Sequence, residues 1–407
     1  MSLIAQHPLF FVSLVKVIAL LLLLMAALAY LTWLERKVVA HMQSRWGPYR
    51  AGPHGLLQPL ADGLKFLFKE DVTPGGVDRF VYYLAPFLSL SLALTSIALI
   101  PFGPDDILIF GQRTTLGIAD LNIGLLFLFA ITSLGVYGVA LAGWSSNSKY
   151  PLLGGLRSSA QMISYELSLT MSVVGVLLMA GTFNLREIIA AQQGHVWGLL
   201  PRWNIIAGPL PQLLGFFCFF TAAIAETNRL PFDLPEAESE LVAGFHTEYA
   251  SFKFAMFFLS EYASMITVSC LATVLFFGGW LSPFPEAQFW AWTRFLPTAA
   301  LGVGCALLIF DGLRYTTLLG RIVLPVLGLV LGGLAYVIAQ PGVIDFIQGP
   351  FWFLAKVFFF LFVYIWVRGT LPRFRYDQLM AVGWKLLLPA SLANVVLTSL
   401  AVVVSRR

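Results

Sequence analysis

Three carboxylates stand where a carboxylate is costly. Glu166, in Ile-Ser-Tyr-Glu-Leu-Ser, and Glu261, in Leu-Ser-Glu-Tyr-Ala, interrupt long apolar runs, and Glu226 closes another. A charge at the centre of a membrane helix costs about 2.5–3.5 kcal/mol even on insertion scales, so such residues mark ion or proton paths. The bland alternative is a neutral acid hydrogen-bonded between helices. From Glu226 onward the sequence ETNRLPFDLPEAESELVAGFHTEY gathers Glu226, Asp233, Glu236, Glu238, Glu240 and Glu248 against the single basic Arg229. Clustered carboxyls titrate as coupled groups and can pass protons among themselves. A surface loop facing water would carry the same charge harmlessly.

The elements that position these acids follow from composition. The 407 residues are 58% hydrophobic and 11% charged, with mean hydropathy +0.82, against about 45–50% apolar and 25% charged in soluble domains. A water-soluble fold is excluded, and the chain reads as one all-α membrane domain, a polytopic bundle of transmembrane helices. Apolar runs recur at Leu9–Leu34, Phe80–Ile100, Ile123–Gly143, Gln161–Ala180, Ile205–Ala225, Phe252–Phe277, Leu296–Phe310, Ile322–Ala339, Phe351–Val367 and Trp384–Val404. That is about ten spans near the ~20 residues a bilayer requires, the seventh being short. Helices are expected because backbone in lipid must satisfy its own hydrogen bonds. The first run leads straight into Glu35-Arg36-Lys37 and reads as a retained anchor.

Lys and Arg set the orientation. One set of loops carries Arg36, Lys37, Arg45, Arg50, Lys65, Lys69, Arg79, Lys149, Arg157, Arg229, Lys253, Arg314, Arg321, Arg368, Arg373, Arg375 and Lys385. The other carries Arg113, Arg186, Arg202, Arg294, Arg406 and Arg407. The first set is therefore expected to be cytoplasmic, with both termini outside. Within the loop 35–79, Leu56, Leu60, Leu64 and Leu67 share one face of a short stretch from Gly55 to Lys69, with Asp62, Lys65 and Lys69 on another. This predicts an amphipathic helix lying at the membrane surface or against a partner.

Several chemistries find no support. Cys218, Cys270 and Cys305 lie far apart, without the spacing of a zinc or iron–sulfur site, and no glycine-rich nucleotide loop occurs. His41, His54 and His246 read as hydrogen-bonded structural residues. Trp33, Tyr82, Trp144 and Trp352, near span ends, fit an interfacial belt.

Four loop segments carry a family likeness. Glu35-Arg36-Lys37 with RWGPYRAGPHGLLQPLADGLKFLFKED, then GWSSNSKYPLLGGLRSSAQMISYE, ETNRLPFDLPEAESELVAGFHTEY and VRGTLPRFRYDQLM resemble the quinone-chamber subunit, known as the H subunit or subunit 1, of proton-translocating NADH:quinone oxidoreductase, respiratory complex I. The resemblance implies a bacterial inner-membrane subunit at the junction of the hydrophilic and membrane arms, in contact with lipids and with subunits of both arms, and not with nucleic acid. It implies quinone as substrate, with NADH, FMN and iron–sulfur clusters held by partner subunits and none by this chain. Arg36, Arg45 and Asp62 match the lining of the family's quinone chamber. Glu166, Glu226, Asp233, Glu236, Glu238, Glu240, Glu248 and Glu261 match its acidic track from the chamber into the membrane.

Two departures accompany the likeness. Some relatives carry a further carboxylate in the third span, where Ile131-Thr132-Ser133-Leu134 offers only hydroxyls, so water or Ser133 would have to bridge the gap. The stretch 294–340 adds two hydrophobic runs to an eight-span core, expected to form a peripheral hairpin without catalytic duty. Other readings stay open on the residues alone: a related membrane-bound hydrogenase or formate-linked complex, or a secondary transporter, although no internal repeat is evident.

Overall fold

The computed structural model describes residues 8–104, 107–109, 112–233, 242–285, 288–315 and 317–405. Among them, nine helices are long and apolar enough to cross a membrane, and a tenth apolar helix is shorter. In chain order they are α1 (Pro8–Met42), α2 (Gln58–Phe68), α3 (Arg79–Ile97), α4 (Gly124–Ser145), α5 (Lys149–Ala180), the short α6 (Leu185–Ala190) and α7 (Leu213–Glu226). There follow α8 (Ser251–Phe276), α9 (Leu296–Arg314), α10 (Leu318–Ile338), α11 (Val343–Thr370), α12 (Tyr376–Ala381) and α13 (Leu388–Ser405), the last two joined by a π turn over Val382–Leu387. The strands described form two small antiparallel hairpins between helices.

Helix α8 occupies the middle of the bundle, packed against α3, α11 and α7. Its residues from Thr267 to Phe276 are all buried. Around it α3, α4 and α5 pack in sequence, α5 also meets α7 and α13, and α1 lies against α11. Small residues permit the closest approaches. A Cβ on Gly143 of α4 would stand 2.6 Å from the Pro151 carbonyl oxygen and 3.1 Å from Cα of Gly155 in α5. The outward faces carry exposed Leu, Val and Phe throughout, as a lipid-facing surface requires.

The fifth span departs from its apolar run. Residues 205–212 are not helical, because Pro209 and Pro211 block the ladder, and α7 begins at Leu213. Its 14 residues make a rod of about 21 Å, against about 30 Å of hydrocarbon. The irregular backbone before it is held by buried amides: Gln212 Nε2 donates to the Leu210 carbonyl (3.0 Å) and to Thr398 (2.9 Å), and Asn394 of α13 donates to Gln212 Oε1 (2.8 Å). The seventh span is longer than its apolar run, since α9 continues through Asp311 to Arg314.

The first long loop folds back on α1. Helix α1 continues past Glu35-Arg36-Lys37 to Met42, and α2 forms as the Leu spacing requires. Its Leu60, Leu64 and Leu67 are exposed, an apolar face that no part of the described chain covers.

Candidate functional site

Glu35, the first charge after the leading apolar run, is carried into the bundle because α1 does not stop there. It is 6% exposed, ion-paired with Arg368 at the end of α11, and it accepts a hydrogen bond from the Tyr262 hydroxyl of α8 (2.9 Å). Glu35, Arg36, Arg45 and Arg368, with Val39, Gly47 and Pro48, line a cavity of about 450 Å³, within the ~300–1,000 Å³ range of small-molecule sites. Arg36 Nη1 donates to Asp62 of α2 (2.8 Å), and Gln58 donates to the other Asp62 oxygen (3.0 Å). Asp62 thus orients Arg36 without lining the cavity itself.

From Tyr262 the polar groups run inward. The Arg229 guanidinium lies over the Tyr262 ring, 4.1 Å from its centre, and 3.7 Å from Oε2 of Glu261. His246 Nε2 is 3.9 Å from the other Glu261 oxygen. Both separations exceed a direct hydrogen bond, and Glu261 opens onto a second cavity of about 60 Å³ that Glu226 also lines, with Ser89, Thr132, Asn228 and Ser260 among the other walls. That space admits several water molecules. Glu226 and Glu166 are electrostatic neighbours, and Ser133 Oγ of α4 donates to Glu166 Oε1. Ser133, the hydroxyl expected to stand in for a third-span acid, therefore does contact one of the sequence-predicted carboxylates.

Local sequence explains how the turn after α7 holds this geometry. Helix α7 ends at Glu226, and its C-terminal carbonyls need partners that Pro231 cannot supply. Gln161 of α5 meets the need, donating to the Ala225 (2.8 Å) and Phe232 (2.8 Å) carbonyls, while Asn228 donates to Ser158 (3.1 Å). Asp233 is buried with Arg373 at 3.4 Å, and Phe374 N–H donates to the Pro231 carbonyl (3.0 Å). Glu248 stands apart from both cavities, its backbone carbonyl accepting from Tyr82 (2.6 Å). Glu236, Glu238 and Glu240 lie outside the described residues. Among the described residues no group of three or more His, Cys, Asp and Glu could hold a metal ion.

The sequence alone reads His246 as structural and assigns no site role to Glu35, Tyr262, Arg229 or Arg368. The signals are present but faint: Glu35 ends the first apolar run, and Arg229 is the lone cation of an acidic loop. Burial, aided by the positive charge of Arg229, pushes the His246 imidazole down to about 4, so it is neutral at pH 7. A histidine whose folded value lies below its free value of about 6.5 contributes fully above that pH and loses the contribution as pH falls toward the folded value. Between about pH 6.5 and pH 5 the loss is about 2 kcal/mol. Detergent-purified protein should show a thermal midpoint that falls over this interval, and His246→Gln should flatten the fall. An equal fall in the variant would exclude the histidine as its source.

The sequence profile of the NADH dehydrogenase family matches residues 15–399. The chain is 51% identical over 389 residues to the NADH-quinone oxidoreductase H subunit 1 of Solibacter usitatus (strain Ellin6076), covering 95% of this chain and 96% of the relative. It is 51% identical over 400 residues to the H subunit 2 of Koribacter versatilis (strain Ellin345), covering 96% of each, and 46% identical over 392 residues to the H subunit 1 of the same organism, covering 92% and 87%. By this identity over nearly its whole length, the chain belongs to the NADH dehydrogenase family, among the H subunits of NADH-quinone oxidoreductases.

Proposed function

We propose that this chain forms the quinone chamber of a proton-translocating NADH:quinone oxidoreductase and couples reduction of the quinone to proton movement. Its basic loops face the cytoplasm of a bacterial inner membrane and meet the hydrophilic-arm subunits that carry NADH, FMN and iron–sulfur clusters, with both termini on the outer side. Its remaining faces meet lipid and the other membrane-arm subunits. The observation that carries the reading is the series of ion-pair, hydrogen-bond and cation–ring neighbours that runs between the two cavities: Arg368–Glu35–Tyr262–Arg229–Glu261.

The chemistry follows from that series. A quinone taking two electrons takes two protons as well, so reduction in the chamber draws on nearby acids. A change of charge at the chamber alters the balance between Glu35 and Arg368, and through Tyr262 and Arg229 it alters the field at Glu261. Coupled carboxyls respond as a set, and Glu261, Glu226 and Glu166 then redistribute protons through the hydrated inner cavity. Moving one charge against the membrane potential costs about 2.3 kcal/mol per 100 mV, so the groups must be sheltered from bulk water, as Glu35 and Glu261 are.

A photoreactive quinone analogue tests the chamber directly. Illuminated with the intact complex in native membranes, it should label this chain within residues 35–48 or at Arg368. Label confined to other segments would overturn the chamber assignment.

A further inference from the structure

The α9–α10 hairpin is more than a lipid-facing appendage at one end. Asp311 Oδ2 of α9 sits 2.5 Å from His54 Nε2, and the Tyr315 hydroxyl that follows α9 accepts a hydrogen bond from the His54 backbone N–H (3.1 Å). The Tyr315 ring stacks on Tyr49 at 6.5 Å and 27°. His54 itself holds a left-handed backbone, φ 50° and ψ 20°, which a residue with a Cβ adopts only at a cost and only where its surroundings enforce it. Next to it Gly55 has φ 76°, and a Cβ there would stand 2.3 Å from the Pro48 carbonyl oxygen. The loop is thus wound tightly on itself, and Pro48, Gly47 and Arg45 of the same loop are one wall of the 450 Å³ cavity. Trp33 Nε1 of α1 donates to the His54 carbonyl (3.3 Å), so the hairpin, the loop and α1 meet at His54.

We propose that the α9–α10 hairpin is a latch on the quinone chamber, with Asp311 and Tyr315 as positioning residues that hold the loop wall from Arg45 to Gly55 closed against α1. This rests on the chamber reading above. The hairpin touches none of the cavity-lining residues through these contacts, so its effect is on how the wall stands, and so on how well substrate is held, leaving the chemistry of the acidic track alone. Loss of the latch should therefore raise KM for the quinone with kcat little changed.

The test uses the complex in native membranes, assayed with NADH and a decyl-substituted benzoquinone, for Asp311→Asn, Tyr315→Phe, Asp311→Glu and, as a chamber control, Arg36→Ala. Asp311→Asn keeps the volume of the side chain and Tyr315→Phe keeps the ring stack, so neither should prevent folding. Expected is a rise in KM of about five-fold for Asp311→Asn, the order of one partly exposed ion pair lost, with kcat unchanged and most of the loss rescued in Asp311→Glu. Backbone amide exchange over residues 45–57 should quicken in Asp311→Asn and Tyr315→Phe. Unchanged exchange, or a fall in kcat at constant KM, overturns the latch. An unchanged KM in Arg36→Ala instead overturns the chamber reading, so the two failures are told apart.

Discussion

Replacing Glu261 or Glu226 by Gln is expected to lower NADH-driven quinone reduction about ten-fold or more, equivalent to about 1.4 kcal/mol or more of lost transition-state stabilisation, and to lower the protons moved per quinone. Gln keeps the shape and the hydrogen-bonding capacity of the carboxyl and removes its exchangeable proton. Both acids line the same 60 Å³ cavity, so a loss at either interrupts the same step, and the double variant should be little worse than the worse single one, as for groups that act as a unit. The measurement is quinone reductase rate together with proton uptake in sealed vesicles. Wild-type rates and proton yield in both single variants would defeat the assignment of these acids to coupling.

Arg229→Ala should have the other large effect, on stability first. The guanidinium is buried, sits 3.7 Å from buried Glu261 and covers the Tyr262 ring. Taking one partner from a buried ion pair typically costs about 3–5 kcal/mol, because the remaining charge stays desolvated. The thermal midpoint of the detergent-purified chain should drop markedly, and less of it should enter the assembled complex. Arg229→Lys keeps the charge without the flat stack and should recover part of the stability. A midpoint equal to wild type in Arg229→Ala would show that Glu261 does not depend on this cation.

The two sites are legible in the sequence to different degrees. Acids such as Glu166 and Glu261 stand out because each breaks a long apolar run, and hydropathy alone places them at depth. Arg36 and Arg45 stand out by family likeness, and both line the larger cavity. The link between these groups is hidden because it is tertiary: Glu35 and Arg368 lie far apart along the chain, and the polar role of Tyr262 depends on the neighbour its hydroxyl meets. Hydropathy likewise places the spans but misjudges ends wherever another force intervenes. Pro209 and Pro211 deny α7 its first turns, and Asp311, which ends an apolar run, is helical with a histidine from another loop beside it.

The short α7 has a consequence for biogenesis. A largely apolar helix of 14 residues ending in Glu226 falls below the ~17–25 that partition stably into a bilayer on their own, and the backbone before it carries polar groups that lipid cannot satisfy. The Gln212 side chain, which donates to the Leu210 carbonyl of that backbone, is itself held by Asn394 and Thr398 of α13, some 180 residues downstream. Stable residence of this segment in the membrane must therefore wait until α13 has been synthesised, so a nascent chain truncated before residue 394 would leave α7, and Glu226 with it, without its native anchor.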